Sequence, residues 1–166
     1  MKGMRRAALL LALVLLLSAC GSGETAELGG PVLWFCAGGE EDHGPALAPQ
    51  PYEGEVQPEA LLNALLAGPG QEGLYTPFPR GVTLRHWSWD EERPGVLLVS
   101  LSEQYGALTD VSLRLADYAI VLTVSPVEGV ESVEISDEGR HVSYRSHQLL
   151  DAREAVLWDE LADDPS

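Results

Sequence analysis

Proline and glycine punctuate this chain so tightly that, between residues 31 and 144, only two stretches read as helices. Pro58 stands where a first helical residue belongs, and Leu61, Leu62, Leu65 and Leu66 follow at three- and four-residue spacings. Gly68 and Pro69 then stop the pattern. The second stretch, Val111 to Val124, sets Val111, Leu115, Ala119 and Leu122 on one stripe, with Ala116, Ile120 and Thr123 beside it, and ends before Pro126.

The segments around these helices read as short strands. Val32 to Cys36 is a β-branched and aromatic run bounded by Pro31 and Gly38. Residues 38–57 are loop-like, with a short extended return near Ala46 to Ala48, and Gly73 to Gly81 is loop-like as well. Val82 to Trp89 and Val96 to Leu101 flank Asp90, Glu91, Glu92, Arg93, Pro94 and Gly95, which suits a hairpin. Val130 to Ile135 alternates like a strand before the turn at Asp137 to Gly139, with a return strand expected to Tyr144 and a further helix over residues 152–161. The expected class is α+β: a small antiparallel or mixed sheet with two helices packed on one face, in the order β-α-β-β-α-β. A length of 166 residues suits one folded domain.

The N-terminus carries an export signal. Lys2, Arg5 and Arg6 form its basic region, and Ala7 to Leu17 is uninterrupted Ala, Leu and Val. As a helix that run spans about 16 Å, against roughly 30 Å of bilayer hydrocarbon, so it is too short to cross. Leu17, Ser18, Ala19 and Cys20 followed by Gly21 resemble the lipobox of bacterial lipoproteins. That resemblance implies cleavage before Cys20, a diacylglyceryl group on its sulfur, and a lipid anchor at the outer face of the cytoplasmic membrane. Residues 1–19 are then the signal peptide, 20–30 the lipidated Cys20 and a flexible tether, 31–144 the domain, and 145–166 an acidic tail, helical in part.

Ten Lys and Arg stand against 26 Asp and Glu, a net charge of −16 that repels phosphate backbones and sets nucleic acid aside as a partner. Loss of Lys2, Arg5 and Arg6 with the leader deepens it to −19. Attachment to anionic lipid through a basic patch is therefore disfavoured, which leaves the acyl chains as the anchor.

Leu61, Leu62, Ala64, Leu65, Leu66, Gly68 and Pro69, then Gly73, Leu74, Pro77, Pro79 and Gly81, resemble the GerM domain of sporulation and germination proteins. Val99, Ser100, Leu101 and Ser102 with Tyr105 look like that family's next strand, and Ile120 to Val133 like its second helix running into a Gly-Val turn. Ser100 stands where the family often carries Asp. The resemblance implies a non-enzymatic envelope domain, similar to ring-building modules, that acts through protein contacts with envelope or sporulation proteins or with copies of itself. It implies no cofactor.

Residue patterns for chemistry are thin. Gly68, Gly70 and Gly73 match a dinucleotide fingerprint by letter, but they follow a helix and precede Tyr75, Thr76 and Pro77, the reverse of the required context. Paired-Cys metal spacing and a Gly-x-Ser-x-Gly elbow are both missing from the sequence. Ser102, Asp110 and His141 make a triad only by chance assortment, and Cys36 in an apolar strand reads as a small hydrophobe. The acidic runs Glu40 to Asp42 and Asp90 to Glu92 lack the alternating oxygen ligands of a calcium loop and read as solvated surface.

Trp87 and Trp89 are the candidate interaction residues. On a regular strand they share one face, opposite Val82 and Leu84. Either a bulge or the helices cover them, or they form an aromatic contact site. The expected function is thus an anchored assembly or interaction module. The competing reading is an envelope lipoprotein that binds a small ligand or cell-wall component. Cys20→Ala is expected to move the protein from the membrane fraction to the medium; retention in the membrane would rule out lipid anchoring at Cys20.

Overall fold

The structure is a computed structural model and describes residues 30–38, 46–138, 140–141 and 149–155. Helix α1, Pro58–Leu66, starts at the expected proline and buries Leu61, Leu62 and Leu65 completely. It ends where Gly68 takes a φ of 93° and its N–H donates to the Leu65 carbonyl (3.1 Å), a conformation that glycine reaches without a Cβ clash. Helix α2, Asp110–Val124, opens on a capping box in which Thr109 and Ser112 exchange side-chain to backbone hydrogen bonds.

The strands divide into two sheets. In the first, β1 (Val32–Ala37) pairs antiparallel with β2 (Leu47–Pro51) on one edge and with β3 (Leu74–Tyr75) on the other. In the second, β4 (Leu84–Trp89) pairs antiparallel with β5 (Val96–Leu101), and β5 runs parallel to β6 (Ser132–Asp137). β7 (Arg140–His141) closes the far edge. A parallel pair needs a crossover, and α2 supplies it between β5 and β6.

Among the described residues no strand belongs to both sheets, so the helices join them. α1 touches β1 and β4, while α2 touches β1 and β6. Phe35 from β1, Leu97 and Leu101 from β5, and Ala116, Ala119, Ile120 and Val124 from α2 are all wholly buried in one core. From Ala119 to Val124 every residue of α2 is buried, the mark of a helix enclosed on all sides.

Two polar contacts stitch this core. β3 reaches only Cys36 and Ala37, so the Trp34 N–H, which alternation points to the same edge as that of Gly38, has no strand beside it. It donates instead to the buried Thr123 hydroxyl of α2 at 3.0 Å. The Tyr105 hydroxyl, from the 3₁₀ turn Glu103–Ala107, donates to the Asp117 carboxylate of α2, and both residues are buried.

The α+β class with two helices stands, and the details show where tertiary context intervened. Residues 73–81, read as loop, contain β3, because Leu74 and Tyr75 complete the edge of β1. The extended return near residue 46 is the longer strand β2, and the strand expected from Val82 begins at Leu84. Val111 is 72% exposed, so the buried side of α2 starts at Leu113 rather than at the stripe expected from Val111. Ala152–Glu154 forms a single 3₁₀ turn where the tail helix was expected to begin. The signal peptide, Cys20, most of the tether, the Glu40 to Asp42 run, residues 142–144 of the return strand and residues 156–161 of the tail helix lie outside the described residues.

Thr123→Val keeps the shape of the side chain and leaves the Trp34 N–H without its acceptor. Such a loss costs roughly 1–3 kcal/mol. Urea denaturation is expected to show that loss, and Thr123→Ser, which keeps the hydroxyl and removes one buried methyl, is expected to cost less, about 1 kcal/mol.

Candidate interaction surface

Strand β4 carries the local feature that builds this surface. Leu84 pairs with Leu101, but the next pair is His86 with Ser100, so Arg85 is an extra residue and the strand bulges there. Beyond it Trp87 faces Val99 and Trp89 faces Leu97. The bulge reverses the side-chain phase, so the tryptophans fall on the same face as Leu84, together with Leu97, Val99 and Leu101 of β5. They do not lie opposite Leu84, as an unbroken alternation requires. Arg85 itself points to solvent and pairs with Glu138 at 3.0 Å.

That face is the one the helices cover, and their cover is incomplete at one end. Trp87 is half-buried against the core, whereas Trp89 remains 40% exposed. The two line an open groove of about 490 Å³ with Val56, Gln57 and Pro58 at the start of α1, and Pro126, Val127 and Glu128 just past the end of α2. Val56 adds an exposed apolar side chain at 38%. The tip of the Trp89 ring would sit 3.7 Å from a Cβ at Gly129, whose φ of 89° turns the chain toward β6.

The hairpin that carries Trp87 and Trp89 is held by charge. Asp90 accepts from the amides of Glu92 (2.8 Å) and Arg93 (3.0 Å) and from Arg93 Nε (2.7 Å). The Glu92 amide first, and the Arg93 guanidinium after it, hold the Asp90 carboxyl below its ordinary range. Arg93 also reaches Glu134 of β6 at 2.6 Å, so the hairpin tip is tied across the sheet.

Other residues singled out in the sequence have structural work. Ser102 is buried; its hydroxyl accepts from the Thr83 N–H (3.0 Å) and donates to the Gly81 carbonyl (3.4 Å), while its own N–H donates to Thr83 (2.9 Å). Asp110 lies at the start of α2, exposed and with a φ of 49°. In the Gly68 to Gly73 loop, the amides of Gly70 and Gln71 both donate to Gln50 Oε1 at 2.9 Å, pinning the loop to β2. The Cys36 thiol is half-buried, and burial pushes its pKa up, away from the reactive thiolate. Among the described residues no three His, Cys, Asp or Glu gather as a metal-binding group.

Sequence reasoning found Trp87 and Trp89 but not Val56, Val127 or Glu128, which come from connections on either side of the two helices. Pro58 and Pro126 were legible only as helix boundaries. That both boundaries meet beside one strand is a tertiary fact.

The family model described as Germane, sporulation and spore germination, matches residues 37–143, a span that holds every residue of the groove. The chain belongs to the Germane family. The tandem GerMN domains of the sporulation protein GerM from Bacillus subtilis share its fold with a TM-score of 0.52 at 14% identity, over 67% of this chain and 39% of that one. The first GerMN domain of the same protein, taken alone, gives 0.46 at 14% identity over 63% of this chain and 80% of that one. The match thus spans about two fifths of the tandem protein. No curated protein matches the chain in sequence. This is a GerM-like domain of the sporulation and germination family, with its groove formed by the two tryptophans of β4 and the ends of both helices.

Gly129 tests the turn that follows Glu128 at the edge of the groove. An L-residue held in this left-handed conformation costs roughly 1–2 kcal/mol. Gly129→Ala is expected to lower stability by that amount in chemical denaturation. Gly70→Ala is expected to be near neutral, since Gly70 has open space and no positive φ.

Proposed function

We propose that this protein is a lipid-anchored Germane domain at the extracytoplasmic face of a bacterial cytoplasmic membrane, and that it acts without catalysis as an assembly or protein-interaction module in sporulation, germination or envelope maintenance. The observation that carries the reading is the open groove at Trp87 and Trp89. A surface of this kind, with a large aromatic left 40% exposed beside Val56 at 38%, is typical of contact sites between proteins. Family membership supports a role in sporulation or germination. The Leu17 to Gly21 lipobox resemblance supports the anchor. Ser102 supports the non-catalytic side, because its hydroxyl is already bound to two backbone groups.

A small-ligand reading has one observation in its favour, a second cavity of about 470 Å³ between α2, β6 and the segment from Asp151 to Arg153. Its rim carries the Asp151–Arg153 pair, in which the guanidinium draws the Asp151 pKa down to about 2.

Sedimentation of the chain from Gly21 onward, from micromolar to near-millimolar concentration, with a pull-down from envelope extract, separates the two. Self-association, or a retained envelope protein lost on Trp89→Ala, is the expected result. A monomer that retains nothing would transfer the function to the second cavity.

A further inference from the structure

The partner chemistry of the groove follows from what surrounds its rings. Glu128 lines it and is exposed. Glu55 and Glu59, both exposed, flank the Val56 to Pro58 wall in sequence, and Glu91 and Glu92 follow Trp89 within three residues. Among the described residues, none that lines the groove is basic. The arginines of the β4–β5 hairpin are engaged by acids, Arg93 by Asp90 and Glu134 and Arg85 by Glu138. The helix ends oppose one another here: the groove lies just past the C-terminus of α2, which carries partial negative charge, and beside the positive N-terminus of α1, which Glu59 in its first turn offsets.

We propose that the groove takes a cationic segment of a partner protein, with an Arg or Lys side chain lying on the exposed face of Trp89 and its charge answered by Glu128. The inference rests on the interaction-module reading and names the partner's chemistry. An indole face attracts a guanidinium or ammonium through its ring quadrupole, and a neighbouring carboxylate adds direct attraction. The aliphatic stem of the same side chain would cover Val56 and Pro126, apolar surface that water otherwise wets. A net charge of −16 also speeds encounter with a cationic segment.

The test is calorimetric titration of the full-length protein in detergent with the capped pentapeptide Arg-Leu-Arg-Leu-Arg. Its counterpart with citrulline in place of each arginine, equal in shape and uncharged, is titrated alongside. The arginine peptide is expected to bind at least about fivefold more tightly than the citrulline one, and Trp89→Ala and Glu128→Gln are each expected to weaken it by a similar factor. Glu72→Gln, an exposed acid outside the groove, is expected to leave binding unchanged. Equal binding of both peptides, no binding, or equal weakening by Glu72→Gln would overturn the proposal. Choline chloride displacing the peptide at comparable concentration would also overturn it, in favour of a small quaternary ammonium ligand. Sedimentation and pull-down report separately: a partner retained by Trp89→Ala and Glu128→Gln protein removes this groove from the contact and leaves the interaction module standing.

Discussion

Burial of two helices between two sheets is the constraint on which this fold depends. Among the described residues the sheets have no strand in common, so no hydrogen-bonded ladder there fixes one against the other. Their relation rests on apolar side chains that α1 and α2 present to both, with Leu61, Leu62, Leu65, Ile120 and Val124 wholly removed from water. Each such side chain contributes about 1.5–3 kcal/mol on burial. Burial alone is not directional, and the Thr123 hydroxyl supplies direction by accepting the Trp34 N–H on the edge of β1 that β3 does not reach. The Tyr105 to Asp117 hydrogen bond does the same for the turn that leads into α2.

A single inserted residue controls the candidate surface. Without the bulge at Arg85, Trp87 and Trp89 would project from the outer side of the second sheet. With it they face inward, where Trp87 packs under the helices and Trp89 reaches the edge of their cover. The groove is therefore a by-product of two helices too short to roof the whole of β4. The Asp90, Arg93 and Glu134 cluster fixes the hairpin from outside, so the tryptophans sit on a rigid strand rather than on a loop.

Polar groups that look chemical in the sequence are spent on the backbone. Gln50 takes the amides that a dinucleotide loop would offer to phosphate. Ser102 clamps Thr83 and Gly81 beside the first residue of β4. Both cases follow from the demand that backbone donors find acceptors once they leave water. In a chain of this size, side chains at element ends meet much of that demand.

The sequence by itself determined the two helices and the β4–β5 hairpin, because Pro58, Gly68, Asp90 and Pro126 act within a few residues of themselves, through fixed φ, a missing Cβ or a local hydrogen bond. It also determined the order of the two helices and of β1, β4, β5 and β6 around them, which the family resemblance reads, but not the strand β3. Only the tertiary structure decided that the strands form two sheets, that Leu74 and Tyr75 pair with β1, and that Val56, Trp89 and Glu128 share one groove. Those outcomes depend on contacts between residues far apart in the chain. The bulge lies between the two cases: its position is local to Arg85, but the register that reveals it belongs to β5. Local chemistry wrote the elements, and the shared burial of two helices chose how they meet.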